Sequence, residues 1–235
     1  MRISSDSIVV FEIGPFVFNG TMLFILVVMA VLILVSLLGT RKISHGKKIR
    51  RWQNLLEMVF DYMKNQIHEM TQQNPEPYIP FIGSLFLYIA VSNLLAFIPG
   101  YYPPTGSLSA TTALALCVFF AVPIFGISRR GFLNYLKQYI QPSPLMLPFN
   151  VIGEISRTLA LAVRLFGNMM SGTIIAGVLI SVIPLILPVV MQLLGVIVGF
   201  IQAYIFAMLA TVYIASATRA EIEKENKLDS KEKQR

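Results

Sequence analysis

Charged residues are missing from four long stretches of this chain and number only three in a fifth, and that segregation restricts its fold more than any other feature. Of 235 residues, 55% are hydrophobic and only 13% charged, against about 25% charged in an ordinary soluble domain. The apolar runs cover about 16–39, 81–98, 108–127, 150–183 and 189–217. Inside a bilayer every backbone N–H and C=O must be bonded within the protein, so runs of this length fold as crossing helices. The expected fold is an all-α polytopic membrane protein, one domain over residues 1–235.

The remaining charges mark the two sides of the membrane. Arg41, Lys42, Lys47, Lys48, Arg50 and Arg51 follow the first run, Arg129 and Arg130 follow the third, and a charged tail fills 219–235. By the positive-inside rule these segments are cytoplasmic, which places the N-terminus outside and the C-terminus inside. Five crossings satisfy that parity. The loop 99–106 and the turn at Pro184 and Pro188 carry no charge and fall on the external side. The net charge of +7 therefore reads as topology and contact with anionic lipid. It does not indicate nucleic-acid binding, since no soluble domain exists to carry a basic face.

Two stretches read as lying along the cytoplasmic surface. Within 51–73, Leu55, Leu56, Val59, Phe60, Met63 and Ile67 recur at helical spacing, with Glu57, Asp61, Lys64 and His68 between them. That is the pattern of an amphipathic surface helix. A shorter piece, 132–140, is read the same way. Ahead of the first run, Asp6, Glu12 and a lone Arg2 do not make the basic region of a secretory signal. The run is also too long for one, so it is a retained span.

The last two runs are longer than a crossing needs. Thirty-odd helical residues measure roughly 45–50 Å, against a hydrocarbon core of about 30 Å. Such helices tilt, kink or project. A hairpin of this kind suits a helix pair laid across the flank of another membrane assembly.

Glu154, Arg157 and Arg164 are the only charged residues inside the five runs. A guanidinium keeps its proton in any protein setting, so Arg164 cannot escape the cost of burial by becoming neutral. At mid-membrane that cost is at least roughly 2.5–3.5 kcal/mol. Arg157 lies seven residues earlier and shares its helical face, which Asn168 and Ser171 extend. Glu154 is within pairing reach of Arg157 but about three turns from Arg164. No carboxylate at membrane depth is left for Arg164, so its partner belongs to another subunit.

The neighbouring polar groups each have two readings. Arg157 either snorkels toward the headgroups with Glu154 or lines a path. Asn168, Ser171, Thr173 and Gln202 either tie helices together or serve the charge, and Gln202 can hydrogen-bond a guanidinium. Gly195 and Gly199 form a small-xxx-small pair, a sign of close helix packing. Cys117 is the single cysteine and packs in an apolar helix without a disulfide. His45 and His68 have no second ligand nearby, which gives no metal site. Gly46-Lys47-Lys48 lacks the glycine spacing and hydroxyl of a phosphate loop. No cofactor is implied.

Arg164-Leu165-Phe166-Gly167-Asn168, continued by Met169-Met170-Ser171-Gly172, resembles the signature of subunit a of F-type ATP synthases. Glu154-Ile155-Ser156-Arg157 is similar to the Glu-x-Ser-Lys/Arg element that precedes it in many members. Ile201-Gln202-Ala203-Tyr204-Ile205-Phe206 resembles a Gln-Ala-Phe-Ile-Phe element, which Val212-Tyr213-Ile214 continues. Ser92-Asn93-Leu94-Leu95 through Ile98-Pro99, and Pro103-Pro104-Thr105, match the second span and its external loop.

The resemblance implies a non-catalytic subunit of the bacterial plasma (inner) membrane, partnered by a c-subunit ring, a b-type peripheral stalk and the rest of the synthase. It implies two half-channels meeting at Arg164, which faces a ring carboxylate, with Gln202 orienting the arginine. Glu154 and Asn168 would line an access path, and Arg157, Ser171, Thr173 and Tyr213 are further lining candidates. The chain departs from the pattern at Thr173, where many members have glutamate, and at Gly195, where some have histidine. Protons are the expected ion, with sodium as the alternative those two departures leave open. A secondary transporter binding an anion at Arg164 is a weaker alternative, because no second copy of the arginine segment exists, as paired repeats would require. A purely structural scaffold leaves the buried charge unexplained.

Overall fold

The computed structural model describes residues 9–13, 16–40, 51–72, 74–98, 100–133, 135, 146–182 and 186–218. Its membrane body is all-α, as the apolar runs dictate, with one addition. Val9–Ile13 (β1) and Phe16–Asn19 (β2) form an antiparallel hairpin that pairs Phe11 with Phe18. Valine and the aromatic residues, which fit a pleated surface, dominate both strands. The first helix, α1, therefore runs Gly20–Thr40, and residues 16–19, which the sequence reading placed in the first span, belong to a strand.

Helix α2 runs Arg51–Thr71. It ends where Gln72 takes a left-handed φ of 53° and donates its N–H to the His68 carbonyl at 2.8 Å, a left-handed helix closure. Glu57, Asp61, Lys64 and His68 are all exposed. Ile67 is fully buried and Met63 packs beside it, while Phe60, nearer the N-terminus, stays exposed. Among the described side chains of this face, Ile67 and Met63 reach the bundle and Phe60 does not. Of 132–140, Phe132 and Leu133 are helical and exposed, and Tyr135 is helical and buried. The other residues of that piece lie outside the described residues, as does the tail 219–235.

The other apolar helices of the bundle, besides α1, are α3 (Ile79–Leu95), α4 (Leu108–Arg130), α5 (Met146–Val182) and α6 (Ile186–Thr218). Among the described helices, α1, α4, α5 and α6 are long and apolar enough to cross a membrane. Helix α3 is apolar but has 17 residues, about 25 Å, at the lower limit for a span. Its continuation Ala96–Ile98 turns off the helix; the following proline disfavours helical geometry in the residue before it. Helix α5 has 37 residues, about 55 Å of helix, and exceeds any perpendicular crossing.

Helix α3 packs along α6, α4 along both α5 and α6, and α5 against α6. The core between them joins Leu85, Ile89 and Ala90 of α3, Val118 of α4, Leu161 and Leu165 of α5, and Ala203 and Phe206 of α6. One polar node sits within it. Asn93 Nδ2 donates to the Gly199 carbonyl at 2.9 Å, and Thr105 Oγ1 donates to Asn93 Oδ1 at 3.0 Å. Gly199 has to be glycine, because a Cβ there would lie 2.8 Å from Asn93 Cβ. Gly195, its partner in the small-xxx-small pair, borders open space. Close packing was therefore legible at one of the two glycines.

Candidate functional site around Arg164

Helix α5 shows two faces set by its sequence. Leu161, Ala162 and Leu165 are buried against the core. Arg157, Arg164 and Ser171, at seven-residue spacing, are exposed on the other side. Seven residues make nearly two turns, so these side chains stack along one outward line. Leu159 and Val163, in the same stretch of helix as Arg164, are exposed apolar residues. Among the described residues, nothing hydrogen-bonds or ion-pairs with its guanidinium.

Above Arg164 in the chain, Asn168 is half-buried, and Ser171 and Thr173 are exposed. Ser171 Oγ donates to the Asn168 carbonyl at 3.0 Å and Thr173 Oγ1 to the Met170 carbonyl at 2.8 Å. Both hydroxyl protons are thus engaged by the helix backbone, and the oxygens keep lone pairs free to accept. Gln202 is turned the other way. It is 7% exposed, beside Ala203 in the core, and its Nε2 has no hydrogen-bond partner. Arg164, which no described residue engages, makes no hydrogen bond to Gln202.

Below Arg164, Arg157 stacks on α6: its Cζ lies 5.7 Å from the centroid of the Tyr213 ring, within cation–π range. Beside this pair is a cavity of about 20 Å³ lined by Glu154, Arg157, Thr158, Tyr213 and Ser216, with Val118, Phe119 and Val122. That is room for one water molecule. The structure therefore brings Glu154, Arg157 and Tyr213 together, strings Arg164, Asn168, Ser171 and Thr173 along α5, and keeps Gln202 inside. The sequence reading did not foresee the stacking of Arg157 on Tyr213 or the tie from Asn93 to Gly199. Both join residues far apart in the chain, and no local periodicity reports such contacts.

A hairpin of over-long apolar helices, packed with further apolar helices, marks a membrane-embedded protein. The family model described as "ATP synthase A chain" matches residues 22–215. The chain is 55% identical over 221 residues to "ATP synthase subunit a 2" of Acaryochloris marina, covering 94% of this chain and 94% of that one. It is 54% identical over 219 residues to "ATP synthase subunit a" of Albidiferax ferrireducens, covering 93% and 95%. Its identity to "ATP synthase subunit a 1" of Chlorobaculum parvum is also 54% over 219 residues, covering 93% and 97%. The chain belongs to the ATP synthase A chain family and is a membrane-embedded subunit of the synthase's membrane sector.

Proposed function

We propose that the outward face of α5 is the stationary half of an ion pathway, completed by a rotating ring whose subunits each carry one carboxylate at mid-membrane. The observation that carries this reading is Arg164, exposed and unpaired among the described residues on an apolar surface. A fixed cation in that position attracts each deprotonated carboxylate as it arrives. It also repels a cation that would otherwise leak straight across. Because arginine does not titrate, it acts as a gate and not as a relay. Ions enter by one half-channel, neutralise a carboxylate, ride the ring, and leave by the second half-channel on the opposite side.

Glu154, Arg157 and Tyr213 line the cytoplasmic limb, while Asn168, Ser171 and Thr173 line the external one. Gln202 serves the arginine once the ring is seated. The N-terminus is outside, the C-terminus cytoplasmic, and the membrane is the bacterial inner membrane. A b-type stalk holds this subunit against rotation, so that ion flow becomes torque for making or hydrolysing ATP elsewhere in the complex. This chain itself does no ATP chemistry. The ion is the proton. Sodium is a second reading, favoured by two details: position 195 is an open-sided glycine, and Thr173 offers an acceptor oxygen without a titrating group.

Arg164→Ala in the whole complex tests the proposal. In inverted membrane vesicles the variant should lose ATP-driven ion uptake, while ATP hydrolysis by the detached catalytic head is unchanged. Uptake at the parental rate would refute the assignment.

A further inference from the structure

Arg157 and Arg164 occupy the same outward line of α5, about 10 Å apart along the helix, yet they are held differently. No described residue engages Arg164. Arg157 is drawn sideways onto Tyr213, with 5.7 Å from its Cζ to the ring centroid. Tyr213 is well placed to hold it: half-buried, it packs against both core clusters, beside Phe206, Ala210 and Ile214. A planar guanidinium over an aromatic face is attracted by the ring's quadrupole, more strongly where water is scarce. The result is a permanent positive charge fixed at the wall of a water-sized cavity that Glu154, Thr158 and Ser216 also line.

We infer that Tyr213 is a positioning residue for the cytoplasmic limb: its ring parks the Arg157 cation beside Glu154, so that Arg164 alone faces the passing carboxylates. The inference rests on the reading of Arg164 given above. Two guanidiniums free on one line would present the ring with two attractive depths. A cation leaving past Glu154 would then meet a mobile positive charge in its way. Held against Tyr213, Arg157 keeps its charge near the exit without occupying it. The phenolic hydroxyl has no part in this. The ring face does the holding, so an aromatic replacement should serve and an aliphatic one should not.

A double-mutant cycle tests it, read as passive proton flux through the membrane sector in vesicles stripped of the catalytic head, normalised to assembled complex. Tyr213→Phe should stay within about twofold of the parent, since the ring face is kept. Tyr213→Leu should reduce flux roughly three- to tenfold, and Arg157→Gln by a similar factor, because each releases the same contact. In the Arg157→Gln background, Tyr213→Leu should add almost nothing, since the contact it removes is already gone. Multiplicative losses in the double variant would overturn the inference and make Tyr213 a packing residue only. Equal losses for Phe and Leu would overturn it as well, by assigning the effect to the hydroxyl. Failure of the parent reading looks different: Arg164→Ala would then leave ATP-driven uptake intact, whatever the cycle shows.

Discussion

Arg164 and Leu165 are neighbours in sequence with opposite surroundings, the leucine fully buried and the arginine exposed. That contrast is the residue-scale account of the site: the helix buries Leu161 and Leu165 in the core and leaves Arg164 outside it. Arg164 was legible in the sequence because a charge in an apolar run has no ordinary explanation. Gln202 was legible as a polar residue, but its inward orientation was not, since α6 is apolar on every side and carries no periodicity to mark a face. Its unpartnered Nε2 leads to a prediction. Burying an amide without a bond costs roughly 1–3 kcal/mol, so Gln202→Leu should raise the thermal stability of the purified subunit while lowering ion flux in the complex. Loss of both would show that Gln202 is bonded and structural. Gly199→Ala should act in the opposite sense. Its methyl would collide with Asn93, costing about 1–3 kcal/mol through overpacking, which differential scanning of the purified subunit can measure.

At the scale of elements, hydropathy placed the apolar helices but not every one of their ends, notably the start of α1 and the end of α3. The hairpin Val9–Ile13 with Phe16–Asn19 escaped because valine and phenylalanine suit a strand and a membrane helix alike, and pairing between strands is not a local signal. The amphipathic helix α2 was legible from its period. Its closure at Gln72 was not, because glutamine carries no preference for the left-handed φ of 53° it adopts. Gln72→Gly should therefore stabilise α2, by about 1 kcal/mol, as glycine takes that conformation without steric cost. The check is slower proteolysis or hydrogen exchange across 60–72. Faster exchange would mean that the glutamine side chain, and not the backbone turn, secures the helix end. The long hairpin α5–α6 was read from length alone, and its two-faced character emerges only when the core residues of α3 and α4 are placed against it.

At the scale of the whole molecule, the described residues leave the outer faces of α5 and α6 uncovered. Leu159, Val163, Ile197 and Ile201 are all exposed apolar residues of these helices, and Arg164 is exposed on α5 as well. A membrane satisfies the apolar part of that surface but not the charge, which in the proposed function is met by a carboxylate of the ring. The ion that carboxylate carries is a property of the assembly. If it is the proton, a protonophore should abolish ATP-driven acidification of inverted vesicles, and adding sodium should change nothing. ATP-driven sodium uptake that a protonophore accelerates would decide for the sodium reading. The central claim, that the Arg164 face meets the ring carboxylates, is most directly tested by disulfide trapping. Exposed Cys117 on α4 is first changed to serine, and Asn168→Cys is paired with a cysteine one turn from the ring carboxylate. A cross-link between this subunit and the ring should form under mild oxidation and stop rotation, with both reversed by a reducing agent. Failure to cross-link at Asn168 and at Ser171, while a cysteine restored at position 117 does cross-link to the ring, would contradict the account.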